Sequence, residues 1–124
     1  MNIVIIGSGG REHALCYKLL KSSKINKIYC IPGNAGTDEI ATNIFADIND
    51  FDEIYKIVLK LNVELIVVGP EIPLVNGIVD YFEKKNIKIF GPNKKCSQLE
   101  GSKFFMKNIC KKYNIPSAKY FEIS

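Results

Sequence analysis

The chain has no tryptophan, one histidine (His13), one arginine (Arg11) and four cysteines that form no CxxC pair. Cys16, Cys30, Cys96 and Cys110 are too widely spaced for the paired ligands of a zinc site. Each lies on or beside a segment read below as helix or strand, where a free cysteine is expected to act as a small buried hydrophobe. No apolar run approaches the ~20 residues of a membrane-spanning helix. The N-terminal apolar run is too short for a secretory leader and lacks its basic flank, so the expected location is cytoplasmic. The net charge is +4, with 17 lysines and arginines against 13 acids. That balance is too weak and too dispersed to indicate nucleic acid. The lysines thicken towards the C-terminus and read as a solvated face. What remains is an ordinary soluble composition: 124 residues, 47% hydrophobic and 24% charged. That length holds one domain, or one domain and the edge of a second.

The chain is organised around Asn2-Ile3-Val4-Ile5-Ile6-Gly7-Ser8-Gly9-Gly10-Arg11-Glu12-His13-Ala14. Ile3 to Ile6 reads as a strand buried on both faces. Glycines at 7, 9 and 10 then lead into a segment of helical periodicity. A strand that turns through glycines into a helix N-terminus is suited to an anion. The backbone can pass close to it, and the first free N–H groups point at it with the positive end of the helix dipole. The lone guanidinium, with its bidentate fork for phosphate or carboxylate, sits at this turn.

Other nucleotide motifs are missing. Gly7 and Gly9 fit the dinucleotide fingerprint, but its third glycine position holds Glu12. The second strand should end in an acid to hold a ribose, and instead runs into Pro32-Gly33-Asn34-Ala35-Gly36-Thr37. A nicotinamide-dependent oxidoreductase is therefore disfavoured. No Gly-Lys-Ser/Thr follows the turn, which removes the P-loop. A small phosphorylated ligand remains; the alternative is a tight connection that binds nothing.

Further along, periodicity predicts a helix over Arg11–Ser22, with Ala14, Leu15, Leu19 and Leu20 as its buried stripe. It predicts a strand over Lys27–Ile31, a helical turn over Asp38–Ala41 and a short strand over Asn43–Ala46. Asp50 reads as an N-cap with Glu53 completing a capping box. The helix it opens carries Phe51, Ile54, Tyr55 and Val58 on one face. Glu64–Val68 is a second two-faced buried strand, followed by Gly69-Pro70-Glu71-Ile72-Pro73-Leu74. One helix is expected to carry Val75, Ile78, Val79 and Phe82, and a strand to cover Lys88–Phe90.

Alternating strands and helices predict an α/β fold, a Rossmann-like parallel sheet of about five strands. Ligands of such sheets sit beyond the carboxyl ends of the strands. The loops Gly7–His13, Pro32–Thr37 and Gly69–Leu74 should meet at that edge, with Arg11, Asn34 and Glu71 at their tips. After Pro92 a polar helix over Asn93–Gly101 is expected. A second helix, capped by Ser102, would carry Met106, Ile109, Cys110 and Tyr113 on one face, and a strand would begin at Lys119–Ile123. This tail reads as the entry to a further domain, or as an appendage packed back on the first.

Together these residues resemble the N-terminal part of the phosphoribosylamine–glycine ligases (glycinamide ribonucleotide synthetases) of the ATP-grasp superfamily. The matching stretches are Gly7 to Ala14, Pro32 to Thr37, Val68-Gly69-Pro70-Glu71 with Pro73-Leu74-Val75 and Gly77, Phe90-Gly91-Pro92, and Leu99-Glu100-Gly101-Ser102-Lys103. They occur in family order and spacing. The resemblance implies an ATP- and magnesium-dependent ligase of purine synthesis. Glycine's carboxylate is phosphorylated, and the amine of 5-phosphoribosylamine attacks the acyl phosphate. It also implies a pre-ATP-grasp domain at 1–100, then at 101–124 a linker helix and the start of an ATP-grasp domain. The implied substrate-binding residues are Gly9, Gly10, Arg11, Glu12, Asn34, Gly36, Pro70 and Glu71. Lys103 matches a lysine near the nucleotide, and His13 matches the motif without an assigned role. No catalytic residue is assigned, and the metal ligands are expected outside this chain. The partners implied are small-molecule substrates and the missing ATP-grasp body, in cis or as a separate chain, with no nucleic acid or membrane. By itself the chain is expected to be inactive. The rival from another class is a stand-alone, non-catalytic module that binds a phosphorylated ligand.

Overall fold

Two runs of β-branched residues at the centre of one sheet set the architecture. They are β1 (Asn2–Gly7) and β4 (Val63–Val68). With β2 (Lys27–Pro32), β3 (Thr42–Asn43) and β5 (Ile89–Phe90) they form a five-stranded parallel sheet in the order β3-β2-β1-β4-β5. The computed structural model describes residues 1–121.

Strand alternation divides the core. Val4, Ile6, Tyr29, Ile31, Ile66 and Val68 point to one face. There they meet Ile54 and Val58 of α3 (Phe51–Lys60), Leu74 of α4 (Glu71–Asn76), and Ile78, Val79 and Phe82 of α5 (Ile78–Glu83). Ile3, Ile5, Ile28, Cys30 and Val67 point to the other face and meet Cys16 of α1 (Gly10–Leu19). The one-turn helix α2 (Ala35–Asp38) follows β2.

The expected elements are present with several displacements. On α1 the inward positions are Glu12 and Cys16, with Leu19 packed behind them, while Ala14, Leu15 and Leu20 are exposed. Both sets have helical spacing, so apolar count alone selects the wrong face. The turn expected at Asp38–Ala41 begins at Ala35, because Asn34 caps it by accepting from the Thr37 N–H at 2.9 Å. The strand expected at Asn43–Ala46 is Thr42–Asn43. Ile44 still donates to the Cys30 carbonyl at 2.8 Å before the chain leaves the sheet. Asp50 caps α3 by accepting from the Glu53 N–H at 2.9 Å. The single helix expected around Val75–Phe82 is two helices broken at Gly77, whose φ of +94° suits glycine. Cys16 and Cys30 are buried as expected, whereas Cys96 is exposed on α6.

Helix α6 (Lys94–Gly101) packs on α4, with Ser97 buried and Gly101 so close to Val75 that a Cβ there would meet its Cγ2 at 2.5 Å. Ser102 caps α7 (Lys103–Lys112) by accepting from the Phe105 N–H at 3.2 Å. No residue of α7 is fully buried. Of the strand expected at Lys119–Ile123, Lys119 to Phe121 have no regular secondary structure, and the remainder lies outside the described residues.

Candidate functional site

The three loops converge at the carboxyl edge of the sheet. Gly33 N–H donates to the Gly7 carbonyl at 3.1 Å, and Gly69 N–H to the Ile6 carbonyl at 3.0 Å, so the loops after β2 and β4 are stitched to β1. The Asn34 side-chain amide donates to the carbonyls of Ser8 at 2.9 Å and Gly9 at 3.2 Å. A Cβ on Gly36 would meet the His13 ring at 2.5 Å, so that ring packs closely against α2. Across the gap, Arg11 Nη2 stands 3.9 Å from Glu71 Oε2.

Gly7 has φ +128°, which lets the chain turn from β1 towards α1. The first backbone bond of α1 runs from His13 N–H to the Gly9 carbonyl at 3.2 Å. The N–H groups of Gly10, Arg11 and Glu12 therefore have no acceptor within the helix. The Gly9 N–H is occupied: it donates to Glu12 Oε2 at 2.6 Å. The anion-facing donors thus begin one residue later than the glycine pattern suggests. Arg11 is mostly exposed and Glu71 about half exposed, so their long pair adds little stability and opens readily to an anion. Two carbonyl-anchored loops, three N–H groups without an intrahelical acceptor at the positive end of a helix, and an exposed guanidinium in a long, easily opened ion pair can hold a phosphate monoester. Glu71, at the first position of α4, can accept from hydroxyls beside it.

Among the expected site residues, Gly9, Gly10, Arg11, Asn34, Gly36, Pro70 and Glu71 are gathered on these loops. Glu12 belongs to the same cluster, but its side chain is turned inward and its residue is 3% exposed. Lys103 is exposed on α7, which packs on α6. Two surface grooves also lie elsewhere, one between α7 and the segment after it, lined by Phe104, Lys107 and Ile115 among others, and one beside Phe51 and Tyr81.

Sequence reasoning missed Thr37 and Asn43. Thr37 is fully buried, accepts from the Asn34 N–H at 2.8 Å and donates to Asn43 Oδ1 at 2.7 Å. The Asn43 amide donates in turn to the Asn34 carbonyl at 2.8 Å. This knot fixes the loop that carries Asn34. Its signal was present as the Asn34-x-x-Thr37 spacing of a capping box, hidden by placing the turn too late. Beneath it, burial raises the Cys30 thiol to about 12 and also pushes Cys16 up, so neither is a reactive thiolate near neutrality.

Residues 1–100 match the family model of the phosphoribosylglycinamide synthetase N domain. The chain belongs to this family. It is 48% identical over 120 residues to a phosphoribosylamine–glycine ligase of Clostridium acetobutylicum, and 44% identical over 120 residues to one of Caldanaerobacter subterraneus. Each match covers 97% of this chain and 29% of the relative, so the chain spans under a third of the ligases it matches. The crystal structure of the Thermotoga maritima phosphoribosylamine–glycine ligase aligns with a TM-score of 0.65 at 32% identity, covering 96% of this chain and 26% of that one. The family match takes in every loop of the site, and Lys103 falls just beyond it.

Proposed function

We propose that this chain supplies the phosphoribosyl-binding edge of an ATP-dependent carbon–nitrogen ligase that joins glycine to 5-phosphoribosylamine. The products are glycinamide ribonucleotide, ADP and phosphate, in purine synthesis. The observation that carries this reading is the free first turn of α1 facing Glu71 across the loops of β1 and β4, within the family-matched segment. The phosphate would rest on the N–H groups of Gly10, Arg11 and Glu12, with the Arg11 fork closing over it. Glu71 would accept from the ribose hydroxyls, and Asn34, Gly36 and Pro70 would border the ligand. These residues position the amine and neutralise the phosphate; they do no covalent chemistry.

In this reading, residues 1–100 form the binding domain, and residues 101–124 form a linker helix and the beginning of an ATP-grasp domain. The absence of any fully buried residue on α7 supports that boundary. ATP and glycine would be held mainly by sequence beyond this chain, with Lys103 reaching towards the nucleotide. Magnesium would be held by carboxylates outside this chain. No helix among the described residues is long and apolar enough to cross a membrane, and a cytoplasmic enzyme fits the proposed substrates.

The test joins this chain to the downstream segment of the Clostridium acetobutylicum ligase and assays glycinamide ribonucleotide. Product from the fusion, with no ADP release from the chain alone, is the expected result. Robust ADP release from the chain alone, dependent on all three substrates, contradicts the inactivity of the fragment. A folded fusion that binds ribose 5-phosphate and forms no product favours a non-catalytic binding module.

A further inference from the structure

Glu12 lends its backbone N–H to the binding scheme, but the scheme leaves its side-chain carboxylate unused. Its carboxylate lies under the cluster rather than at its surface. Oε2 takes the Gly9 N–H at 2.6 Å, and Oε1 is buried with no hydrogen-bond partner among the described residues. The side chain fills the space that Cβ atoms would need on two neighbouring strands' loops. A Cβ on Gly69 would meet Oε1 at 1.9 Å, and one on Gly7 would meet Cγ at 2.7 Å. A capping interaction alone does not require burial, since the same hydrogen bond forms at the surface of many helices. Burying a carboxylate with one oxygen unpaired opposes stability and calls for another reason.

We infer that the Glu12 side chain is a positioning group for the phosphate cradle, its carboxylate acting through the Gly9 N–H and the β4 loop without itself touching ligand. By turning the Gly9 N–H inward, it leaves Gly10 and Arg11 as the leading free donors. By packing on Gly69, it fixes the loop that carries Glu71 at the distance where Arg11 faces it. Gly69 is glycine because the carboxylate occupies its side-chain space. This inference rests on the anion-site reading above. It adds that geometry, and not the charge of Glu12, is what the site needs, because a buried negative charge beside a phosphate opposes binding.

That separation gives the test. Glu12→Gln keeps an acceptor for the Gly9 N–H and removes the charge; Glu12→Ala removes both; Gly69→Ala displaces the carboxylate from the opposite side. Amide hydrogen exchange and ribose 5-phosphate titration are measured on each chain by NMR. In the native chain the Gly9 amide should exchange at least tenfold more slowly than those of Gly10 and Arg11. Glu12→Gln should retain most of that protection and bind ribose 5-phosphate at least as tightly as the native chain. Glu12→Ala and Gly69→Ala should lose the protection and bind about tenfold more weakly, with resonances of Ile54 and Phe82 unchanged. The inference is overturned if native Gly9 exchanges as fast as Gly10, or if Glu12→Ala binds within twofold of native. It is also overturned if Glu12→Gln binds as weakly as Glu12→Ala. If the native chain binds no ribose 5-phosphate, the phosphoribosyl reading fails on its own, and Gly9 exchange alone decides the role of Glu12.

Discussion

On one face of the sheet, α3 and α5 bury Ile54, Val58, Ile78, Val79 and Phe82 against Val4, Ile6, Ile66 and Val68. On the other, α1 contributes Cys16 and the carboxylate of Glu12, and the loop beside it is tied by Thr37, Asn34 and Asn43. The first face also carries an aromatic cluster, with the Tyr81 ring edge-on to Phe82 at 5.1 Å and tilted to Phe51 at 5.6 Å, and a Tyr81 hydroxyl that donates to Asp52. The second face has a small apolar cluster and several buried polar contacts. Apolar packing is strong and non-directional; hydrogen bonds are weaker in net energy but fix orientation. The fold is therefore anchored mainly on the first face, which also seats α4 and its Glu71 through Leu74, and orientation at the loop cluster is specified mainly by polar contacts on the α1–α2 side.

Predictions follow from that division, and each would blur it if it failed. The largest effect is expected for Phe82→Ala, at about 3–5 kcal/mol of unfolding free energy, because Phe82 is fully buried in the larger cluster. Denaturant titration reads the loss, and ribose 5-phosphate affinity of the folded fraction should be unchanged. Arg11→Ala should do the reverse. It should weaken ribose 5-phosphate by about 1.5–3 kcal/mol and leave the unfolding midpoint in place, because Arg11 is exposed and its ion pair is long. Arg11→Lys should bind with an affinity between native and Arg11→Ala, since it keeps the charge and loses the fork. Asp50→Ala removes the cap of α3 and should cost about 1 kcal/mol of stability with no effect on binding. The smallest effect is expected from a thiol reagent at pH 8. It should modify exposed Cys96 without unfolding the chain and leave Cys16 and Cys30 untouched, as mass spectrometry of the labelled protein would show.

The same division separates what the sequence made legible from what it did not. The apolar runs Ile3–Ile6 and Leu65–Val68, rich in β-branched residues, have no polar alternative, so two-faced burial, a parallel sheet and converging loops follow from pattern alone. The face of α1 does not, because its inward stripe begins with a glutamate. A rule that buries apolar residues selects Ala14 and Leu15 over Glu12 and Cys16. The break at Gly77 was hidden for a related reason: Leu74, Ile78 and Phe82 keep helical spacing across it. In the candidate site, Arg11, Asn34 and Glu71 were legible as polar tips on glycine- and proline-rich loops. The inward turn of Glu12, the occupied Gly9 N–H and the Thr37–Asn43 contact depend on contacts between segments distant in sequence, which spacing does not encode.

The central claim is that the three loops form a cradle for a ribose phosphate. The most direct measurement is an amide NMR titration of the chain with ribose 5-phosphate and, separately, inorganic phosphate, on native protein and on Glu71→Gln. The account predicts that ribose 5-phosphate shifts Gly10, Arg11, Glu12 and Glu71 while α7 stays still, and that Glu71→Gln weakens ribose 5-phosphate but barely changes inorganic phosphate. No shifts in Gly7–His13 at millimolar ligand, or equal weakening of both ligands by Glu71→Gln, would contradict it.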